Sequence, residues 1–164
     1  MLITNLWKKE LTCSITLPAI QLAKLSGFSP IITTASLKHA EFLKSIGATH
    51  VVNRNISAPS LVSEISSITQ NVPIKYAFDS ISLPETQQTA YDLLAHGGKL
   101  ATVLVPAAKT TKEKDIFHVS GFLRTPPNIK LLETFYHDNL ERFLKEGAIK
   151  VSRSRKCHSF YLFD

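Results

Sequence analysis

Apolar positions recur along the chain with two alternating periods. In Leu17 to Ser26 (LPAIQLAKLS), Ala19, Leu22, Ala23 and Leu25 fall at near-helical spacing. Pro18 fits the first turn, where its missing N–H costs nothing, and Gly27 supplies a C-terminal stop. Pro30 to Ala35 (PIITTA) is short and β-branched and predicts a strand. Ser36 then stands at the N-cap of a helix predicted from Leu37 to Ile46, with Leu37, Ala40, Leu43 and Ile46 on one face and Gly47 at its end. His50 to Asn53 (HVVN) predicts a second strand. The alternation continues with a helix over Pro59 to Thr69, a strand over Lys75 to Ile81, and a helix over Pro84 to Ala95 that the Gly97–Gly98 pair breaks. Lys99 to Val105 (KLATVLV) is a continuous apolar run, the kind buried on both faces of a parallel sheet. Ile116 to Leu123 predicts another strand. After Pro126–Pro127 a longer helix runs from Asn128 to Glu146, Gly147 stops it, and Ile149 to Val151 starts one more strand.

Strands alternating with helices of this length imply a parallel sheet with right-handed crossovers. The expected fold is α/β: a Rossmann-like, doubly wound sheet with helices on both faces, incomplete at both ends. A length of 164 residues suits one domain. That domain is expected over 1–151, with an atypical segment at 1–13 and a basic tail at 152–164. With 44% hydrophobic and 20% charged residues the composition is ordinary globular and excludes disorder or coiled coil. No apolar run approaches the ~20 residues of a membrane span. Lys8 and Lys9 follow the first apolar residues, the reverse of a secretory signal, so a cytoplasmic location is expected. Cys13 and Cys157 lie too far apart in sequence to suggest a disulfide framework or a zinc knuckle.

Net charge is +6, from 19 Lys and Arg against 13 Asp and Glu, which favours anionic partners such as phosphate groups. The cluster Ser152 to Lys156 (SRSRK) reads as a solvated tail, and nucleic acid is not an expected partner on charge alone. In a parallel open sheet, ligands sit beyond the carboxyl ends of the strands. After the PIITTA strand come Ser36, Leu37 and Lys38, with Thr34 nearby and no acid until Glu41. An NAD-preferring site usually has Asp or Glu at this point, gripping the ribose 2′-hydroxyl. A hydroxyl and an ammonium suit a 2′-phosphate instead, aided by the positive end of the following helix. The alternative is that Ser36 only caps a helix and Lys38 is only solvated. Arg54, just past HVVN, either adds a second positive charge to the same pocket or is an exposed loop residue. No HExxH, GxSxG, P-loop or Tyr-x-x-x-Lys pattern occurs, and the six histidines show no metal-ligand spacing. No catalytic residue and no zinc are assigned.

The run Ala19 to Val52 (AIQLAKLSGFSPIITTASLKHAEFLKSIGATHVV) resembles the nucleotide-binding half of medium-chain dehydrogenase/reductases, in particular the zinc-independent quinone-reductase and fungal trans-enoyl-reductase branch. KYAFDSIS (Lys75 to Ser82), HGGKLATVLVP (His96 to Pro106), VSGFLRTPPN (Val119 to Asn128) and FLKEGAIKV (Phe143 to Val151) resemble the segments that follow in that family. The resemblance implies that Ser36 and Lys38 bind the adenosine 2′-phosphate of NADP(H). It implies that Asp79, Ser80 and Ile81 border the ribose side of the cofactor. Val105 and Pro106, with Ser120, Gly121 and Phe122, then lie near the nicotinamide. Asp79–Ser80 read equally as a strand-end turn beside a helix cap, and Gly121 as a bulge or bend. The family reaction is hydride transfer from NADPH to an activated carbon–carbon double bond or a quinone.

Two departures qualify the resemblance. The family places a glycine-rich turn before the AIQLAKLSG helix, and here no glycine precedes Gly27. Thr12, Cys13, Ser14 and Ile15 resemble the serine-rich centre of that turn, which makes Ser14 and Ile15 cofactor-binding candidates, but Thr16 stands where the family keeps glycine. A side chain forced into left-handed geometry there costs about 1–2 kcal/mol. The first strand also reads poorly, because Lys8, Lys9 and Glu10 follow Leu2 to Trp7 where a buried strand should continue. Secondly, the family's separate catalytic, GroES-like domain has no counterpart in these residues. The expectation is a truncated cofactor-binding domain with little or no independent activity. The alternative is a non-enzymatic module that self-associates, or joins a partner subunit, through an exposed sheet edge.

Overall fold

The computed structural model describes residues 1–4, 16–111, 113–119 and 126–150. Among the described residues six strands form one sheet: β1 (Leu2–Thr4), β2 (Ile32–Ala35), β3 (His50–Asn53), β4 (Ile74–Asp79), β5 (Leu94–Thr102) and β6 (Asp115–His118). Every pairing is parallel and the spatial order is β3-β2-β1-β4-β5-β6. The winding reverses beside β1, so the crevice between the β1 and β4 carboxyl ends is the place where such sheets receive ligands. The helices are α1 (Thr16–Leu25), α2 (Ala40–Ser45), α3 (Ala58–Ile68), α4 (Pro84–Asp92), α5 (Pro126–Leu132) and α6 (Leu140–Lys145). Among the described residues no helix is long and apolar enough to cross a membrane.

Strand β2 is apolar on both sides because both sides are covered. Ile32, Val52, Ile74 and Leu100 pack with Leu61 and Ile65 of α3 and with Ala90 and Tyr91 of α4. Ile31 and Ala35 pack on the opposite face with Leu17, Ile20 and Ala23 of α1 and Leu43 of α2. Adjacent Ile31 and Ile32 are both buried, at 1% and 0% exposure, which only a doubly covered strand explains.

Several elements differ from the sequence expectation. Leu2–Thr4, the segment that reads poorly, occupies the centre of the sheet, pairing with β2 on one side and β4 on the other. Three residues suffice there because backbone hydrogen bonds, and not a long apolar run, define the pairing. The helix expected from Leu37 to Ile46 is a tight 3₁₀ turn over Leu37–His39 followed by α2. Gly97 and Gly98 lie within β5 instead of separating it from α4. Pairing with β4 jumps from Ile74–Leu94 to Tyr76–Lys99, a bulge that Gly97 permits by taking φ +71°. The expected strand Ile116 to Leu123 is confined to β6, with 120–123 outside the described residues. The expected long helix is interrupted by a π-helical stretch over Glu133–Asn139. Ile149 and Lys150 are not in a strand, and Val151 lies outside the described residues. The Lys150 backbone is instead held by a side chain: its N–H donates to Oε1 of buried Gln21 at 2.5 Å, and its carbonyl accepts from Nε2 at 3.3 Å. No described side chain between 128 and 145 is fully buried, so this helical arm rests on the periphery.

Candidate functional site

The carboxyl ends of β2 and β3 converge at Ser36. The Arg54 N–H donates to the Ala35 carbonyl at 3.0 Å, which extends the β2–β3 pairing by one step and brings Arg54 beside the β2 exit. Ser36 is extended (φ −69°, ψ 130°) at the N-cap of the following turn, yet its hydroxyl makes no capping hydrogen bond. Ser57, in the equivalent position before α3, does cap, accepting from the Ser60 N–H at 3.3 Å. The Ser36 carbonyl accepts the His39 N–H at 3.0 Å, closing the turn that carries Lys38. Lys38 is exposed, while Ser36, His39 and Arg54 are half-buried. Burial lowers the His39 pKa, and the charges of Lys38 and then Arg54 lower it further. Both cations therefore stand close enough to act on the same ring. Among the described residues neither Lys38 nor Arg54 forms an ion pair. Thr34, by contrast, is buried at 1% exposure within the sheet and has its own partner.

At the β4 exit the polar groups are already engaged. The fully buried Asp79 carboxylate accepts from the Ile81 N–H at 3.0 Å and the Ser82 N–H at 2.9 Å through Oδ1. Its Oδ2 accepts from the Thr86 hydroxyl at 2.5 Å. Asp79 thus ties the strand-end turn to the first turn of α4. The Ser80 hydroxyl accepts from the Thr16 hydroxyl at 2.9 Å, linking this turn to the start of α1. Ser82, held at φ +60°, donates from its hydroxyl to the Asp79 carbonyl at 2.8 Å and accepts the Val103 N–H at 2.8 Å. Buried Gln87 completes the weld, donating to the carbonyls of Ser82 at 2.8 Å and Val105 at 3.1 Å. The loop carrying exposed Val105 and Pro106 is therefore fixed from behind. Ser14, Ile15, Ser120, Gly121 and Phe122 lie outside the described residues.

The site therefore brings Ser36, Lys38 and Arg54 together and commits Asp79 and Ser80 to internal bonds. It also adds His39 and Gln87, which sequence reasoning missed, and gives Thr16 a hydroxyl partner in Ser80. Gln87 has a readable signal, a polar residue on the buried side of an α4 whose other inward positions include Ala90 and Tyr91. His39 is adjacent to Lys38 in sequence, but testing histidines only for metal spacing hides it. Among the described residues no three His, Cys, Asp or Glu side chains converge.

The fold is a doubly wound, parallel α/β sheet of six strands among the described residues. The profile of the family described as zinc-binding dehydrogenase matches residues 15–143. The trans-enoyl reductase eqxC of Fusarium heterosporum is 41% identical over 88 residues, which are 54% of this chain and 24% of that protein. The chain thus spans about a quarter of the length of such curated relatives. The quinone oxidoreductase of Escherichia coli, solved in complex with NADPH, superposes with TM-score 0.69 at 21% identity, over 92% of this chain and 46% of that one. The enoyl reductase CurK gives TM-score 0.67 at 20% identity, over 92% and 45%. The chain belongs to the zinc-binding dehydrogenase family and is a nucleotide-binding domain of the medium-chain dehydrogenase/reductase superfamily.

Proposed function

We propose that residues 1–151 form an NADP(H)-binding unit of a cytoplasmic, enoyl-reductase-like oxidoreductase, with Ser36, Lys38 and Arg54 receiving the adenosine 2′-phosphate and residues 152–164 forming a basic tail. One observation carries this reading: at the β2 exit Ser36 leaves its capping role unfilled, and Lys38 on its own turn and Arg54 at the adjoining β3 exit form no ion pair among the described residues. A dianionic phosphate satisfies all three, whereas a ribose hydroxyl satisfies none of the charge. The nearest acid in sequence, Glu41, lies on α2 at 3.8 Å from Lys44.

When bound, NADPH supplies a hydride for an activated carbon–carbon double bond or a quinone. The chain's own part is to orient the cofactor. The rigid loop behind Val105 and Pro106 gives one wall for the nicotinamide, and the substrate-facing wall comes from outside this unit. Turnover by the isolated chain is accordingly expected to be slight. Calorimetric titration with NADPH and NADH tests the reading. Preference for NADPH that falls on Lys38→Ala and Arg54→Ala supports it, and equal or undetectable binding of both cofactors refutes it.

A second reading rests on β6, which ends the sheet among the described residues and, with the residue after it, exposes Phe117 and Val119, at 47% and 52%. An unpaired edge of this kind recruits another strand, from a second copy or a partner subunit. Sedimentation distinguishes the two: a monomer with NADPH affinity favours the first reading, an oligomer without affinity the second.

A further inference from the structure

Strands β5 and β6 present one uncovered side. Ile116 packs against the core on the α3–α4 side, so its neighbours Asp115 and Phe117 point to the opposite, α1 side. Lys99 and Ala101 share that side: with Phe117 they line a groove whose other wall is Ala19 and Leu22 of α1. Among the described residues none from α2 to α6 lines it. Phe117 is 47% exposed, Lys99 and Asp115 are exposed, and Ala101 is half-buried.

The parallel register sets these residues out in two complementary rows. Lys99 stands opposite Asp115, and Ala101 opposite Phe117. Each row thus has unlike members one strand apart, a cation and an anion in the first, a small and a large apolar group in the second. Neither Lys99 nor Asp115 forms an ion pair among the described residues. The Lys99 ammonium lies instead over the Phe117 ring, 5.4 Å from its centroid.

Rows of this kind are self-complementary about a two-fold axis that runs along the strands between β5 and β6. That rotation lays β5 of one copy over β6 of another at unchanged height. Lys99 then faces Asp115 of the second copy, Phe117 faces Ala101 of the second copy, and each contact occurs twice. An axis across the strands sets β5 on β5, which opposes Lys99 to itself or to an alanine. We propose that this face docks a second copy of the chain, β5 on β6 and β6 on β5. The overlap is two strands wide because α1 stands beside it, so the dimer is small and weak by the standard of stable interfaces. It differs from strand addition at the β6 edge, since it uses side chains one strand further in and leaves the edge backbone free. It is also independent of the phosphate reading, because β5 and β6 lie across the sheet from the β2 exit.

Sedimentation velocity of the full chain, from about 10 µM to about 1 mM, tests the proposal. The expected result is a reversible monomer–dimer equilibrium that added salt weakens. Lys99→Glu brings like charges together at both symmetric contacts, and Asp115→Lys does the same, so each should weaken the dimer about tenfold. Combining Lys99→Glu with Asp115→Lys restores opposite signs and should return the dissociation constant to within about threefold of the parent value. Ala101→Phe should block the dimer by size alone, and adding Phe117→Ala should restore it. Circular dichroism shows which variants fold, and if a single charge reversal does not, the Ala101 and Phe117 exchange decides. A monomer at every concentration overturns the proposal. So does a dimer that withstands Lys99→Glu, the signature of edge pairing, or a folded double variant that fails to recover.

Discussion

The side-chain oxygen of Gln87 accepts the backbone N–H of Ala107 at 2.7 Å. The same buried amide donates to Ser82 and Val105 carbonyls, so one side chain of α4 joins the exits of β4 and β5. Gln87→Leu keeps the bulk but orphans one N–H and weakens two carbonyls. At about 1–3 kcal/mol for each unsatisfied buried group, the variant should lose roughly 2–4 kcal/mol, because the loop can relax toward water. Urea unfolding measures that loss. Amide exchange should accelerate at Val105 to Ala107 ahead of the rest of the sheet.

Asp79 offers a sharper contrast between two substitutions. Asn keeps an oxygen for the Ile81 and Ser82 N–H groups and can donate to the Thr86 hydroxyl. Ala removes every acceptor and strands two buried N–H groups. Asp79→Ala should therefore cost about 2–4 kcal/mol and Asp79→Asn distinctly less, both by chemical denaturation. If both cost equally, the carboxylate charge and not its hydrogen bonds holds the turn.

Glycine requirements differ between Gly98 and Gly27. A Cβ at Gly98 meets the Ala95 carbonyl at 2.8 Å and the Leu94 Cβ at 3.0 Å, both inside the β5 bulge. At Gly27 a Cβ meets nothing within 4 Å, and only φ +76° opposes it. Gly27→Ala should cost about 1 kcal/mol from backbone geometry alone. Gly98→Ala should cost more, about 2–3 kcal/mol, because main-chain atoms must move. Thermal unfolding of the two variants ranks them.

These cases also mark where the sequence was legible. Periodicity finds β3 at His50–Asn53 to the residue, because an apolar pair between turn signals has one reading. The two-sided core was visible in PIITTA, whereas KLATVLV misleads: Lys99 is exposed, β5 ends at Thr102, and Leu104 and Val105 beyond it are exposed. Gly97–Gly98 misleads, since a glycine pair signals both a helix end and a bulge, and only the pairing with β4 selects the bulge. β1 was obscured because charged residues follow it and its pairing is nonlocal. Ser36, Lys38 and Arg54 were readable as strand-exit residues once the sheet was assumed parallel. Asp79 could not be resolved between ribose contact and turn, because its partner Thr86 lies seven residues away on the next helix. His39 drew no notice because its lowered pKa comes first from burial, which the folded turn supplies, and only then from Lys38 and Arg54.

The His39 environment predicts its own titration. Lys38 is the larger of the two charge effects that lower its pKa, and Arg54 the smaller. Lys38→Met should therefore raise the His39 pKa more than Arg54→Met does, and concentrated salt should raise it in the parent chain by screening both. Proton NMR of the ring reads each shift. Stability follows with a definite sign. Because the folded pKa lies below the unfolded value of about 6.5, the unfolded chain binds more protons as the pH drops through that value. His39 thus removes stability on acidification below about pH 6.5, an effect that His39→Gln should abolish in urea unfolding across that window. An unchanged pH profile in the variant, or a larger shift from Arg54→Met than from Lys38→Met, would contradict the ordering of burial, Lys38 and Arg54 as the causes acting on His39.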